Sequence, residues 1–286
     1  MPSLIDLRRR IRSVKNTQQI TKAMKMVAAA KLRRAQERVI ASRPFSKNYE
    51  KVLASVVGAS SGEEGAASHP LLAVRTEKRV QVIVLTSDRG LAGAFNSNIL
   101  KGAQAFLAEK PGTQVQVEAV GRKARDFFRR RNITLSGEHI GVFDKSLFAD
   151  AARIAAAAAA ERYSNEEVDA VYLVYNEFKS VMSQRLTVKQ VLPVPLPEGQ
   201  ASSYIFEQSP AELLAKLLPD YVSIMVYSAI LESAAAEHAA RMVAMDAAST
   251  NASKVIDQLT LYLNRVRQAS ITREIIEVVS GAAALE

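Results

Sequence analysis

The clearest candidate for chemistry is a glycine-containing loop that follows a short apolar run in the middle of the chain. The run spans residues 80–86, and the stretch from Thr86 to Asn96 reads TSDRGLAGAFN. A buried strand that leads through such a loop into a helix is a context in which backbone amides bind phosphate. The stretch lacks the G-x-G-x-x-G spacing, however, and no Lys-Ser or Lys-Thr pair follows its glycines. We therefore expect a tight turn in which Asp88 or Asn96 caps a helix, with a nucleotide-binding enzyme as the alternative.

Other residue types that carry catalysis or bind metals are scarce. The 286 residues include no cysteine, which excludes disulfides, thiolate metal sites and cysteine nucleophiles. The three histidines, His69, His139 and His238, lie far apart in sequence with no paired ligand spacing. Asp88 and Glu177 could form a carboxylate pair, but nothing in the sequence brings them together. The sequence therefore predicts no catalytic constellation, no metal and no cofactor.

Positive charge is concentrated at the N-terminus. The chain has a formal net charge of +9, and residues 1–55 carry fourteen Lys or Arg against three acidic residues. Such a segment favours an anionic partner, which could be nucleic acid, lipid headgroups or an acidic protein surface. An arginine-rich organellar transit peptide is a further alternative. It is disfavoured because the basic pattern continues into a heptad repeat, beyond the usual length of such a peptide.

The composition is that of a folded chain without a membrane anchor. Hydrophobic residues make up 48% and charged residues 23%, which is a normal balance for a globular protein. No run approaches the roughly 18 apolar residues that span a bilayer, and the first residues lack the apolar core of a signal peptide. We expect a soluble protein in a reducing compartment, with no direct membrane insertion.

Heptad patterns at both ends predict two long helices. Residues 3–43 contain neither Gly nor Pro, and residues 220–280 contain neither as well. Their seam positions recur at alternating spacings of three and four, which is the signature of a coiled coil. Pro44 is expected to break or kink the first helix. The N-terminal seam comprises Leu4, Leu7, Ile11, Val14, Gln18, Thr21, Lys25, Ala28, Leu32, Ala35 and Val39. The C-terminal seam comprises Leu231, Ala235, His238, Met242, Met245, Ser249, Ala252, Ile256, Leu259, Leu263, Val266 and Ser270.

A helix over residues 220–280 would be about 90 Å long at about 1.5 Å per residue, which is more than one compact domain needs. It must therefore project and pair along its seam, and the N-terminal helix is the obvious partner. The predicted fold class is α/β plus a long antiparallel coiled coil, in which the terminal helices form a shaft. His238 and Met242 lie in the seam and are expected to pack rather than to bind a ligand.

The middle of the chain changes period and predicts a Rossmann-like α/β domain inserted between the helices, with a largely parallel sheet. Strands are expected at 80–86, 115–120, 168–176 and 185–192, and helices at 94–109, 122–131 and 147–163. The predicted domains are an N-terminal coiled-coil helix 1–57, a linker 58–78, the central α/β domain 79–200, a connector 201–219 and a C-terminal coiled-coil helix 220–286.

Four separated blocks resemble the gamma subunit of rotary F-type ATP synthases, and the resemblance covers the whole chain. Residues 10–29 read RIRSVKNTQQITKAMKMVAA, residues 86–98 read TSDRGLAGAFNSN and residues 237–248 read EHAARMVAMDAA. The fourth block is C-terminal and comprises Ile271, Thr272, Arg273, Glu274, Glu277, Gly281, Ala282 and Ala284. Four blocks in the right order are far more specific than any one of them.

The resemblance implies a rotor shaft that catalyses nothing itself. In this family the terminal helices form a coiled coil inside a ring of alternating α and β subunits. The α/β domain lies at the foot with the epsilon subunit, on the membrane c-ring. Rotation driven by proton or sodium flow makes the asymmetric shaft push each β subunit through its catalytic states, in ATP synthesis or hydrolysis. Chloroplast members carry an insert with two cysteines, and its absence implies a bacterial type, peripheral on the cytoplasmic face of the inner membrane.

The resemblance also assigns contact residues by position. The implied contacts with the β subunits are Lys22, Met24, Lys25, Arg267 and Gln268. The implied contacts with the c-ring loops are Tyr204 and Glu207, in the stretch Tyr204-Ile205-Phe206-Glu207. The basic residues of the first helix would then face acidic loops of the β subunits, so the charge surplus would be a protein–protein surface.

Without the resemblance, the main alternative is a basic coiled-coil protein that binds nucleic acid. It is disfavoured because the basic residues surround the first helix instead of forming one stripe, and because aromatic residues make up only 6% of the chain. Steeply salt-dependent binding to random duplex DNA would favour it. Nucleotide binding by the isolated chain would instead favour the enzyme alternative based on residues 86–96.

Overall fold

In chain order, one long helix precedes a five-stranded α/β region and another follows it. The computed structural model describes residues 3–60, 69–195 and 208–283. Helix α1 spans Leu4–Ser60 and helix α6 spans Pro210–Ala283. This order of elements confirms the predicted fold class, with a terminal helix on each side of an α/β domain.

The elements between the two helices follow the predicted alternation, with three additions. The strands are β1 Arg79–Leu85, β2 Gln114–Val120, β3 Leu135–His139, β4 Ala170–Phe178 and β5 Gln184–Leu192. The helices are α2 Phe95–Ala108, α3 Arg122–Arg129, α4 Val142–Lys145 and α5 Phe148–Ser164, with a 3₁₀ helix at Pro70–Leu72. The sequence did not predict β3, α4 or the 3₁₀ helix.

The five strands form one mixed sheet in the order β3-β2-β1-β4-β5. The first four are parallel to one another, and β5 runs antiparallel to β4, so the prediction of a largely parallel sheet is confirmed. Val82, Ile83 and Val84 in the central strand have no exposed surface, because helices cover both faces of a parallel sheet. The sheet therefore has its core at β1, the strand that leads into the candidate loop.

The chain forms two compact units. The helical unit comprises Met1–Ala28 and Met242–Glu286, and the α/β unit comprises Ala29–Arg241. Helices α1 and α6 each contribute residues to both.

In the helical unit, the predicted seam is the buried stripe. Leu7 and Ala28 are 1% exposed, Met245 is 5% exposed, and the residues around them on both helices are largely exposed. The stripe on α6 ends at Ser270, and every residue from 271 to 281 is exposed. Heptad spacing therefore predicted which side chains the two helices bury against each other.

The sequence predicted that Pro44 breaks or kinks the first helix. The prediction of a break is wrong, because α1 continues to Ser60. A proline removes one backbone hydrogen bond, which packing on both sides of it can offset. Val39, Leu53 and Val56 are buried around it, at 2%, 1% and 2% exposure. Helix α6 likewise contains Pro219 and begins ten residues before residue 220, where the sequence placed its start.

One stretch of α6 is more apolar than the sequence analysis expected. Within Ala211–Gly281, an 18-residue window reaches a mean hydropathy of 1.4, which is enough to cross a membrane by length and composition alone. The α/β unit buries apolar side chains of this helix, since Val222, Val226 and Ile230 have no exposed surface. Core helices pass the same test, so the finding is weak support for a membrane span.

Candidate functional site

The loop after β1 is built around Asp88, whose carboxylate caps two helices. Its Oδ1 accepts hydrogen bonds from the backbone N–H of Arg122, at 3.1 Å, and of Gly141, at 2.9 Å. Its Oδ2 accepts from the N–H of Phe143, at 3.1 Å. Arg122 opens α3, and Gly141 and Phe143 belong to the start of α4, so one side chain satisfies amides of both. The expectation that Asp88 caps a helix is confirmed, although the helices it caps are not the one that follows it.

Thr86 caps a further backbone amide at the start of α3. Its Oγ1 accepts a hydrogen bond from the N–H of Ala124 at 2.8 Å. Gly121 precedes the helix with a φ of 95°, and a Cβ added there would lie 2.1 Å from the carbonyl oxygen of Thr86. The strand and the helix are thus in close contact where a dinucleotide-binding fold would receive phosphate. Because side chains already take these amides, the loop does not offer a phosphate cradle at α3.

The three histidines hold three separate structural positions. His69 accepts the N–H of Leu71 through Nδ1, at 3.2 Å, and so caps the 3₁₀ helix. His139 Nε2 lies 2.7 Å from Glu118 Oε1 in the sheet. His238 is largely buried in the α/β unit, where burial and the nearby Arg241 and Lys31 charges lower its pKa to about 4. In residues 3–60, 69–195 and 208–283 no three His, Cys, Asp or Glu side chains group as metal ligands.

Two polar clamps connect the long helices with the sheet inside the α/β unit. Arg43 of α1 donates to both carboxylate oxygens of Glu232 of α6, at 2.8 and 3.1 Å, and to the carbonyl oxygen of Phe178, at 2.8 Å. Phe178 N–H donates back to Glu232 at 3.0 Å. The hydrogen bonds to Glu232 raise the pKa of the Arg43 guanidinium. This bidentate pair fixes α1 and α6 at the end of β4.

The second clamp holds the loop after β1. Arg241 donates to the carbonyl oxygen of Gly90 at 3.1 Å and to Glu237 at 2.7 Å. Glu237 is 3% exposed, and its burial raises the pKa of its carboxyl group against the lowering effect of Arg241. The loop that the sequence marked out thus takes part in positioning α6.

The structure places the predicted contact residues of the N-terminal segment in the helical unit. Lys22 is exposed, Met24 is half-buried, and Lys25 donates to Asp246 Oδ1 of α6 at 2.6 Å. The Lys25 and Asp246 side chains remain 43% and 56% exposed. A shallow cleft of about 300 Å³ runs beside this ion pair, and its lining consists of Gln18, Gln19, Lys22, Lys25, Asp246 and Ser249.

The predicted contacts near the C-terminus lie elsewhere on the same unit. Arg267 and Gln268 are exposed on α6, more than twenty residues beyond Asp246 and so roughly 30 Å away along the helix. The structure therefore does not bring them to the Lys22–Lys25 group. Tyr204 and Glu207 lie outside the described residues.

The last turns of α6 carry an apolar surface with no cover from the helical unit. Five large apolar side chains there are 47% to 71% exposed. On a soluble protein, exposed side chains of this kind usually occur singly among polar ones. The residues are Ile271, Ile275, Ile276, Val278 and Val279. This surface extends beyond the reach of α1, because the buried stripe on α6 ends at Ser270.

Comparison with known proteins assigns the family. A family model described as ATP synthase matches residues 3–285. The ATP synthase gamma chain of Solibacter usitatus is 62% identical over 287 residues, with all of both chains covered, and that of Pelotomaculum thermopropionicum is 50% identical with the same coverage. The chain belongs to the ATP synthase gamma-chain family. The resemblance drawn from the four sequence blocks is thereby confirmed.

Solved structures agree with this family at the level of the fold. The central stalk of the Tetrahymena thermophila mitochondrial ATP synthase is similar with a TM-score of 0.60 at 25% identity, over 80% of this chain and 99% of that one. A chain of the Euglena gracilis mitochondrial ATP synthase, from a structure titled OSCP/F1/c-ring, gives a TM-score of 0.65 at 20% identity, over 99% of this chain and 94% of that one. The fold is thus shared with chains from solved structures of mitochondrial ATP synthases.

Sequence reasoning missed two ion pairs between the long helices. Asp246 lies in the third family block, yet its pairing with Lys25 needs the antiparallel register of the two helices, which no local pattern gives. The signal that could have found it was the heptad, since Lys25 stands at a seam position. The Arg43–Glu232 pair joins residues 189 positions apart, and no pattern marked either of them.

Proposed function

We propose that the chain is the central rotor shaft of an F-type ATP synthase. In this role it couples ion-driven rotation of the c-ring to the conformational cycle of the catalytic β subunits, and it supplies no catalytic residue itself. The observation that carries the proposal is membership of the gamma-chain family over the full length. The helical unit supplies the physical means, because a pair of long helices is stiff enough to transmit torque.

The surface of the helical unit supports a surrounding protein partner. The apolar side chains from Ile271 to Val279 are exposed in the chain by itself, and burying them in a ring of subunits would remove that apolar surface from water. Among residues 1–55 the basic excess is fourteen to three, so acidic loops of a partner would be attracted to the first helix. Both features favour the ring of α and β subunits as the partner.

The individual contacts are part of the proposal. We assign Lys22, Met24 and Lys25 to the moving loops of the β subunits, and Lys22 offers the freest charge because Lys25 is already paired with Asp246. Arg267 and Gln268 are assigned to a second β contact, which their exposure permits. Tyr204 and Glu207 are assigned to the c-ring loops by sequence position alone.

The remaining partners and the location follow from the same role. The epsilon subunit would bind the α/β unit at the foot, and the c-ring would carry both. The ATP synthase complex is membrane-associated, and we place this chain at the cytoplasmic face of the bacterial inner membrane as a peripheral subunit without direct insertion. No nucleic acid is required.

Co-purification tests the shaft role directly. The chain is expressed with the α and β subunits of the same source, and ATP hydrolysis is assayed with and without it. We expect a stable complex with one copy of this chain per ring, and turnover that depends on it. Failure to form a complex, together with elution of the chain bound to nucleic acid at moderate salt, would contradict the proposal in favour of the basic coiled-coil alternative.

Arg267→Ala tests the assigned β contact in the assembled complex. Loss of a charged hydrogen-bond donor is expected to lower ATP hydrolysis by roughly two- to tenfold, while the thermal unfolding of the isolated chain stays the same. Arg265→Ala is the matched control, because Arg265 is an exposed arginine two positions away on another side of α6. Equal turnover in the wild type and both variants would remove Arg267 from the contact set.

A further inference from the structure

A cationic cleft in the α/β unit carries an inference that does not depend on the proposed rotor function. The cleft has a volume of about 140 Å³. Three basic residues of α1 surround it at helical spacings of three and four, which places them on one side of that helix. They are Lys31, Arg34 and Arg38. Opposite them stand Ser146, after α4, and His238 of α6.

The three cations are not neutralised by neighbouring carboxylates. Within the described parts of the chain, the exposed residues Lys31, Arg34 and Arg38 form no ion pair. Three nearby acidic residues have other basic partners, and Asp88 beside Phe143 is held by backbone amides. Glu37 lies 3.4 Å from Arg33, Asp144 lies 2.8 Å from Arg89, and Glu237 lies 2.7 Å from Arg241. Like charges around one small volume repel, so an anion between them would lower the electrostatic energy of the unit.

The floor of the cleft is apolar and buried. Phe143 and Phe148 are 7% and 8% exposed, and their rings pack at a centroid distance of 6.0 Å. Leu231 and Ala234 of α6 complete the floor at 3% and 2% exposure. An apolar wall excludes water from one side of the cleft, which strengthens any charge–charge interaction inside it.

His238 adds a donor group that stays uncharged. Its side chain is 13% exposed, and its buried Nδ1 lies 3.7 Å from Glu237 Oε2 without forming a hydrogen bond. Burial keeps the ring neutral near pH 7, because it lowers the pKa to about 4. A neutral imidazole still carries one N–H, so it can donate without adding a fourth positive charge. The Ser146 hydroxyl is a further neutral donor at the rim.

The donor set fits phosphate better than it fits a carboxylate. Two arginines, one lysine, one serine and one histidine line a single small volume, and a carboxylate offers their donors only two oxygens. A phosphate offers three or four, and arginine pairs with it in a bidentate manner. We propose that this cleft binds a small phosphate anion, either inorganic phosphate or the phosphoryl group of a phosphomonoester.

Titration of the full-length chain with inorganic phosphate tests the proposal. We expect saturable binding by calorimetry, with sodium chloride at the same ionic strength giving no such isotherm. The chain has only three histidines, so ¹H–¹⁵N spectra of the imidazoles report the location. Phosphate is expected to shift the His238 resonances and to leave those of His69 and His139 in place.

The double variant Arg34→Gln/Arg38→Gln is expected to weaken phosphate binding at least about tenfold, since it removes two charged donors. Arg9→Gln/Arg10→Gln removes the same charge from exposed positions of the helical unit and is expected to bind within about twofold of the wild type. Equal weakening by the two double variants would overturn the proposal, because the effect would then be a general response to net charge.

Adenosine monophosphate separates the two sources of the phosphate group. Binding equal to that of inorganic phosphate would assign the free anion, whereas tighter binding that also shifts His238 would assign a phosphomonoester. No binding of either ligand by the free chain would overturn the proposal and leave Lys31, Arg34 and Arg38 as a contact for acidic side chains of a protein partner.

Discussion

The helical unit and the α/β unit bury their side chains in different ways. The helical unit has one stripe, in which a few residues such as Thr21 and Ala252 are at most 9% exposed and larger ones such as Leu259 are half-buried. The α/β unit has a closed core in which Ile83, Phe128 and Leu218 have no exposed surface. Polar contacts differ as well, since the Lys25–Asp246 pair is half exposed and Glu232 of the Arg43 clamp is 6% exposed.

This difference indicates that the two units depend on partners to different extents. A two-helix pair buries only one side of each helix, and most helical stability comes from packing rather than from intrinsic propensity. The α/β unit covers its central strands on both faces within one chain. We therefore expect the α/β unit to fold by itself and the helical unit to gain much of its order from the proposed partner subunits.

A pair of core truncations gives the largest expected effect on this comparison. Phe128→Ala removes a fully buried ring, and we expect it to lower the free energy of unfolding of the α/β unit by about 3–5 kcal/mol. Leu7→Ala removes the best-buried leucine of the helical unit, and we expect faster amide exchange across residues 4–28 with the α/β transition unchanged. Denaturant unfolding combined with hydrogen-exchange mass spectrometry measures both. If the two variants lower one common transition equally, the units are not independent.

Substitutions in one ion pair of each unit give the next largest difference in the free energy of unfolding. Glu232→Gln replaces a carboxylate that accepts three hydrogen bonds with a neutral amide. We expect a loss of about 2–3 kcal/mol in the free energy of unfolding. Asp246→Asn removes the acid of the half-exposed pair in the helical unit, and we expect a loss below about 1 kcal/mol. Urea unfolding at neutral pH compares them. A larger cost for Asp246→Asn would reverse the ranking of the two units.

At neutral pH His238 gives the smallest of these effects, and the effect grows as the pH falls. The folded-state pKa of about 4 lies below the ordinary value of 6.5, so the unfolded chain binds a proton first as the pH falls. Stability is therefore lost between about pH 6.5 and pH 4, by about 2 kcal/mol at pH 5. His238→Gln removes the titrating ring, and we expect its free energy of unfolding to fall less than that of the wild type between pH 7.5 and pH 5.

The neighbouring Glu237 acts in the opposite direction, because burial raises the pKa of its carboxyl group and lets the folded state take up a proton first. That contribution is present in both the wild type and His238→Gln, so it does not explain a difference between them. An identical pH dependence in the two proteins would contradict a neutral buried His238.

The elements that the sequence predicted are those whose signal is local and repeated. The heptad identified Leu7, Ala28 and Met245 as seam residues, because each helix carries its own periodicity. The apolar run at β1 predicted a central buried strand for a similar reason. The four separated blocks, in the order typical of the family, predicted the family.

The features that sequence reasoning missed depend on contacts between distant residues. Strand β3 contains Ser136, Gly137 and Glu138 and so lacks an apolar alternation, and its pairing with β2 alone makes it a strand. Helix α1 continues past Pro44, where Val39, Leu53 and Val56 are buried by elements that lie far away in sequence. Asp88 was expected to cap a helix, but which helices it caps depends on where the chain returns to the loop after β1.

The exposed apolar face from Ile271 to Val279 limits how much unassembled chain can stay soluble in a cell. If the proposed ring of subunits covers this face, copies made in excess of the ring would leave it exposed, and surfaces of this kind promote aggregation and attract chaperones and proteases. Synthesis in proportion to the α and β subunits would therefore be a requirement for solubility as well as for economy. Overexpressed alone, the chain is expected to accumulate in inclusion bodies, and co-expression with the α and β subunits is expected to keep it soluble.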